Sequence, residues 1–497
     1  MKAYREALVS LLIILGIVVV VYWSFGVSKA TAILLSGLTL ASLYFLLGAG
    51  LSLIFGLMDV LNFAHGTIFM IGAYIGYTFF GNPRLILNTL PLFLTLSAGV
   101  MVGNLFYRWV GQQNFLGKQN RLLALFLGLI GCISLWWGLK RFPLRPLVAF
   151  EPTTPGGAIP TALAQEPLPN MVVRLVWMAL SGLLLSLAIR LWSKGRERPV
   201  ILHYYASAIV GLIFTAFLIL LGRNVLEKFF LGLPVDLRFT LAMVAAIAVG
   251  AVLGALIESY FIRPFYGRPI AQIVLTLGLM FAGGELVKFI WGKEGRAPIS
   301  GPSLFAASCI SPNIFAWFRE HCSSIYIFGR AFPSYRLFII FIGLFMFVAI
   351  TLLLRYTRLG MIIRAGVQDS EMVEALGINV RRVFTFVFAL GSALAALGGV
   401  VAAPFVGVYP DMGGIFQLQA FIAVVIGGMG NYVGTAVGSL ILGLARAFGD
   451  TLVTTGFTLP GMAQAWKASP AIARASIVLV MALVLLVRPA GIFGKKG

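Results

Sequence analysis

Charge is scarce in this chain: only 11% of its 497 residues are Asp, Glu, Lys or Arg, where a soluble globular domain carries about 25%. Acids are scarcer than bases, 16 against 37. Cys132, Cys309 and Cys322 show no zinc or redox spacing, and His65, His203 and His321 are scattered, so no metal site is expected. The acids form no dense group of the kind a membrane enzyme acting on lipids or glycans requires. A Gly-x-x-x-x-Gly-Lys-Ser/Thr phosphate loop is also missing, which excludes ATP hydrolysis by that route.

What fills the chain is apolar. Hydrophobic residues reach 60%, above the roughly 45–50% of soluble domains, and recur in blocks near the roughly 20 residues a helix needs to cross about 30 Å of hydrocarbon. The bilayer is therefore the solvent, and the expected fold is all-α, a polytopic transmembrane helical bundle. About thirteen spans are expected, near 8–25, 31–54, 66–80, 88–108, 122–139, 171–191, 203–222, 238–258, 271–290, 336–354, 383–408, 418–447 and 472–488.

The formal charge of +21 comes from Lys and Arg in short loops. That placement reads as orientation by the positive-inside rule and attraction to anionic membrane lipid, with no nucleic acid as partner. With Lys2 and Arg5 cytoplasmic, the loops holding Arg108, Lys118 and Arg121, then Lys194, Arg196 and Arg198, then Arg263 and Arg268, then 355–382, all face inside. Thirteen spans would leave Arg488, Lys495 and Lys496 outside, so one span is expected to be two. The candidate is 418–447, where Gly427, Gly428, Gly430 and Gly434 invite a broken helix or hairpin.

The first block resembles a signal peptide with a small-residue site at Ser28-Lys29-Ala30. A retained helix over 1–30 is the simpler reading, because the loop charges count correctly with it in place. Two connections are long. Residues 140–170 hold seven prolines (Pro143, Pro146, Pro152, Pro155, Pro160, Pro167 and Pro169) and read as an irregular exterior loop. Residues 291–335 are also expected outside, where either a Cys309–Cys322 disulfide or two free thiols fits.

Between two apolar spans runs a stretch from Arg355 to Arg382 that is too long and helix-prone for a turn. Met361 to Leu376 suits one or two short helices, with Asp369 or Ser370 as N-cap and Gly377 as the stop. Either a lever pushed by a partner protein or a lipid-facing amphipathic helix fits that pattern.

The segment resembles the coupling loop of ABC-importer permeases, specifically the branched-chain amino acid permease family, with its Arg-x-Ser/Thr-Arg-x-Gly stretch followed by Ala, Asp and Leu-Gly-Ile-Asn. Gly56-Leu57-Met58-Asp59-Val60-Leu61-Asn62-Phe63-Ala64-His65-Gly66 is similar to the same family's Gly-x-x-Asn-Phe-Ala-His-Gly signature. Further similarities follow in order: Arg263-Pro264 with Leu275-Thr276-Leu277-Gly278-Leu279, Ala420-Phe421 through Gly443, and Arg488-Pro489-Ala490-Gly491-Ile492-Phe493-Gly494. They fall in four blocks, 31–80, 238–292, 336–448 and 472–494. The helix at 8–25 has no counterpart in the family pattern. Residues 81–237 stand where the family has a short connection, and read as an insertion of about four spans. The core then comprises 31–80 and 238–497.

The resemblance implies a permease subunit in the bacterial-type inner membrane that uses no cofactor itself. Two cytoplasmic ABC ATPases would consume ATP, an extracytoplasmic binding protein would deliver the substrate, and a second related permease or another copy of the chain would complete the path. Its substrates would be branched-chain or other small amino acids, amides or urea.

Path candidates are Asn62, His65, Gly66, Gly427, Gly428 and Gly430, because polar groups at a membrane helix end are costly unless they face a cavity or partner. Equally, Asn62 would cap a helix, His65 bond a neighbouring carbonyl, and Gly434-x-x-x-Gly438 pack helices. Coupling candidates are Arg364, Ala365, Asp369, Glu374, Ala375 and Gly377. Glu285 and Lys288 lie one turn apart and are suited to pairing. The competing reading is an ATPase-independent channel or secondary transporter, although most span centres lack the acids such carriers usually place there.

Overall fold

A computed structural model describes residues 2–81, 84–111, 121–140, 142, 166–192, 202–298, 301–368, 370–456 and 467–494. The proline-rich loop is mostly outside the described residues, as are Lys118, Lys194, Arg196, Arg198, Asp369, Lys495 and Lys496. The rest is overwhelmingly helical, because apolar sequence in lipid must satisfy its own backbone groups.

The first helix, α1 (Lys2–Met58), is two helices merged across a kink at Gly26, where φ is +72°. Next come α2 (His65–Gly81), α3 (Arg84–Gly111), α4 (Arg121–Leu139), α5 (Leu168–Trp192), α6 (Leu202–Gly232) and α7 (Val235–Leu256). A π-helical turn (Ile257–Ile262) and a short 3₁₀ turn (Arg263–Phe265) lead to α8 (Pro269–Trp291). Among the described residues ten helices are long and apolar enough to cross a membrane, with Met412–Gly427 and Ala475–Val487 shorter. The expected count of thirteen is not reached by these measures.

The chain divides into two compact units, Met1–Tyr77 with Val235–Gly497, and Thr78–Pro234. Within the second, α3, α4 and α5 pack closely through small residues. A Cβ on Gly99 would lie 2.0 Å from the Ala179 carbonyl oxygen, and one on Gly182 would lie 2.2 Å from that of Leu96. Buried charges in this unit are paired. Arg174 meets Glu166 at 2.7 Å and donates to the carbonyls of Gly138 and Lys140. Arg84 pairs with Glu227, and Arg223 donates to Asn88 and to the Glu166 carbonyl.

In the first unit, residues 291–335 carry an element the sequence reading did not anticipate. A three-stranded sheet is ordered β1 (Ala307–Ser311), β2 (Cys322–Ile327), β3 (Arg330–Pro333), with α9 (Ile314–Glu320) between its first two strands. β1 and β2 run parallel, β2 and β3 antiparallel. Cys309 and Cys322 form a disulfide with Cα atoms 4.9 Å apart, so the pairing alternative is the observed one. Glu285 and Lys288 also pair, at 2.8 Å on an exposed face of α8.

The membrane core of this unit continues with α10 (Ser334–Tyr356), α11 (Arg358–Gln368), α12 (Ser370–Ala375), α13 (Val380–Val406), α14 (Met412–Gly427), α15 (Tyr432–Thr454) and α16 (Pro470–Val487). The glycine-rich block is indeed broken, at 428–431, and its halves return antiparallel. A Cβ on Gly427 would lie 2.1 Å from the Gly434 carbonyl oxygen, and one on Gly438 equally near that of Ala423. The Gly434-x-x-x-Gly438 motif is thus a helix-packing face, as small residues at membrane interfaces usually are.

Candidate functional site

Arg355 to Arg382 folds into two short helices set between α10 and α13. Thr357 starts α11, accepting a 3.0 Å bond from the Gly360 amide in the manner of an N-cap reaching the third helical residue. At the other end, Gly377 adopts φ +81°, the Gly377 amide donates to the Glu374 carbonyl, and the Ile378 amide donates to that of Val373. That is a Schellman stop, in which a left-handed glycine satisfies the last carbonyls. Ile363 belongs to a buried cluster with Leu53, Leu57, Ile350 and Val387, which ties α11 to α1, α10 and α13. Val373 is likewise buried, whereas Arg364, Ala365, Glu374 and Ala375 are exposed.

The path candidates form two groups. Asn62 and His65 occupy the turn between α1 and α2 and are fully buried. The Asn62 side-chain oxygen accepts from the Ala64 amide at 3.0 Å, and its backbone carbonyl accepts from the Gln417 amide group at 3.1 Å. A Cβ on Gly66 would lie 2.3 Å from the Gly413 carbonyl oxygen, so α2 and α14 touch backbone to backbone there. His65 lies against α1 with Nε2 beside Gly50, and neither of its ring nitrogens has a hydrogen-bond partner. Asn62 Nδ2 and Gln417 Oε1 have no hydrogen-bond partner.

The second group is the hairpin turn. Gly428 has φ +102° and Gly430 φ +75°, and Gly430 packs on Gly56 of α1. The amides of Ile492 and Phe493 donate to the carbonyls of Ile426 and Gly427, so the segment 488–494 caps the end of α14, whose carbonyls would otherwise be orphaned. An open cavity of about 690 Å³ adjoins this turn, with Gly430, Asn431, Arg355, Arg364, Asp59 and Phe493 among its lining residues. One candidate from each list, Gly430 and Arg364, therefore faces the same space. Asn62, His65 and Gly66 do not line it.

A third constellation escaped the sequence reading. Glu258, fully buried in the π-helical turn, accepts from Arg263 at 3.1 and 2.8 Å, from Thr385 of α13 at 2.7 Å, and from Tyr266. Burial and the Glu258 carboxylate push the Tyr266 phenol well above its ordinary range, so it stays a donor at physiological pH. An acid five residues before an arginine, late in an apolar span, was the available signal. Among the described residues no group of three or more His, Cys, Asp or Glu is arranged to hold a metal ion.

Comparison with known proteins converges on one family. Residues 156–487 match the family described as branched-chain amino acid transport system / permease component, more than half of the chain. Over 257 residues the chain is 30% identical to the high-affinity branched-chain amino acid transport system permease protein LivH of Escherichia coli, covering 51% of this chain and 75% of the relative. The permease protein BraD of the corresponding system in Pseudomonas aeruginosa is 29% identical over 265 residues, 52% of this chain and 76% of the relative. The ribose import permease protein RbsC of Escherichia coli is 26% identical over 257 residues, 50% and 70%. No solved structure matches. The chain therefore belongs to the branched-chain amino acid transport system permease family, as a multi-pass inner-membrane permease subunit of the ABC-importer type.

Proposed function

We propose that this chain forms one wall of the translocation path of an ATP-driven importer for branched-chain or other small amino acids, amides or urea. Two cytoplasmic ATPases bear on α11 and α12, an extracytoplasmic binding protein delivers substrate, and a second related permease or another copy of the chain closes the path. Family membership supports ATPase and binding-protein partners in general. The observation that carries the coupling role is the division of α11 and α12 into two faces. Ile363 and Val373 are buried, and Arg364, Ala365, Glu374 and Ala375 are turned outward.

Arg364 and Glu374 offer charge partners to an ATPase groove, and Ala365 and Ala375 permit close approach. Asp369 is a further coupling residue, and Gly377 ends the second helix, which fixes the angle at which a push reaches α13. Asn62, His65 and Gly66, with the hairpin glycines Gly427, Gly428 and Gly430, line or shape the path. Relatives carry names for both amino-acid and ribose transport, which supports selectivity residing largely in the binding protein.

The test is reconstitution of the chain with its ATPases and binding protein in lipid vesicles, following radiolabelled leucine. Uptake is expected to require ATP. Gly377→Leu, strained at a positive φ by about 1–2 kcal/mol, is expected to leave membrane insertion and ATP hydrolysis intact while abolishing uptake. Uptake without ATPases would instead favour a channel or secondary transporter. Modification of the 355–382 loop by an impermeant reagent from outside would remove the coupling assignment.

A further inference from the structure

From residue 242 on, the buried residues of α7 recur at every fourth position and all are small: Ala242, Ala246, Gly250 and Gly254. At this spacing side chains lie one above the other on one helix face. The stripe lets α7 meet α13 with almost no gap. A Cβ on Gly250 would lie 2.5 Å from that of Ala396, and one on Gly254 would lie 2.3 Å from Ser392 Oγ. The next position in the series is Glu258, and opposite it on α13 stands Thr385. A row of apolar contacts thus ends in a charged one, at the end of α13 that emerges from the 355–382 loop.

The winding at that point is specific to the contact. In an α-helix residues five apart differ by about 140° around the axis, so Arg263 would face away from Glu258. Here the backbone widens, and the Arg263 amide donates to the Glu258 carbonyl, the i→i+5 pattern of a π turn. The wider turn stacks residue 263 on residue 258 and brings the guanidinium onto the carboxylate. The Arg263 guanidinium also donates to Thr385 Oγ1 at 2.8 Å, and the Thr385 hydroxyl in turn donates to Glu258 at 2.7 Å. Tyr266 adds a further donor to the carboxylate and an edge-on contact with Phe384, ring centroids 5.5 Å apart.

We infer that Glu258 is a positioning residue for transport, pinning the α7–α8 connection to the start of α13 so that the two move together when the coupling helices are pushed. The inference rests on the coupling role proposed above for 355–382. Apolar stripes of small residues slide and rotate at little cost, whereas a buried carboxylate held by the side chains of Arg263, Tyr266, Thr385 and Ser259 does not, because breaking it leaves an uncompensated charge. Thr385 lies five residues beyond Val380, where α13 begins, and eight beyond the Gly377 stop. A displacement of α12 therefore reaches α7 and α8 first through this contact.

The experiment uses the complete reconstituted importer and measures leucine moved per ATP hydrolysed. Thr385→Val removes the bridging hydroxyl while keeping the side-chain shape, and Glu258→Gln removes the charge. Both are expected to assemble with ATPases and to hydrolyse ATP within about twofold of the parent. Leucine moved per ATP is expected to fall about tenfold, the effect of losing one hydrogen bond to a buried charge. The double variant is expected to be no worse than Glu258→Gln alone, because both changes break one contact. An unchanged transport ratio in Thr385→Val overturns the inference, as does a parallel loss of hydrolysis, assembly and transport, which is what a purely structural role produces. Absence of ATP-driven uptake in the parent complex would instead overturn the importer reading itself.

Discussion

The two units of the chain differ in how completely they partner their buried polar groups. In Thr78–Pro234 the buried charges are closed on themselves: Arg174 on Glu166 and two carbonyls, Arg84 on Glu227, Arg223 on Asn88 and the Glu166 carbonyl. The unit containing the family motifs leaves Ser52, Asn62 Nδ2, Ser392, Gln417 Oε1 and Ser439 buried with no partner. An orphaned buried polar atom costs about 1–3 kcal/mol. Thr78–Pro234 shows none among its described residues. Those five orphans sit on α1, the α1–α2 turn, α13, α14 and α15, and His321 Nδ1, between α9 and β2, is a further one in the same unit.

Three comparisons would break or sharpen this contrast. The largest effect is expected from Arg174→Ala, which strands Glu166 and two carbonyls. Thermal unfolding in detergent should show a loss of about 3–5 kcal/mol, and a loss below 1 kcal/mol would mean the closed network is not what holds that unit. Gly66→Ala comes next. Its Cβ has nowhere to go against the Gly413 carbonyl, so about 1–3 kcal/mol of stability should be lost through overpacking, with leucine uptake falling in parallel. Full uptake would show that α2 and α14 do not need backbone contact.

The smallest and most direct comparison is a matched pair of buried serines. Ser181 in the first-named unit donates to the Gly131 carbonyl at 2.9 Å, whereas Ser439 is equally buried and unpartnered. Ser181→Ala should cost about 1 kcal/mol and Ser439→Ala close to nothing. Equal costs in the two would erase the distinction between the units.

Much of this architecture was legible because the governing signals are local. Apolar blocks of membrane-spanning length marked helices within a few residues of α4, α5, α8 and α10. Glycine density at 427–434 announced the hairpin, and Gly377 ended α12 as a left-handed residue should. What escaped depended on partners distant in sequence. The 307–333 sheet is small and its first pairing is parallel, joining strands on either side of α9, so no hairpin signal precedes it. The 488–494 segment matched a family pattern with no visible purpose until its amides were found on the carbonyls of Ile426 and Gly427. Glu258 sat in an apolar span as an isolated acid, and only the π turn and Thr385, 127 residues away, explain how it is tolerated there.

Sequence alone determined that this is a membrane protein, roughly where its helices run, and which short motifs tie it to a permease family, because bilayer thickness and backbone self-satisfaction act on every span independently. Tertiary structure decided the rest. It settled which faces of α11 and α12 remain open, that Asn62 and His65 point into the protein while Gly430 and Arg364 line one cavity, and that α7 ends in a charged contact on α13. Those outcomes are set by which helix lies against which, and hydrophobicity, the same on every side of an apolar helix, carries no record of the neighbour.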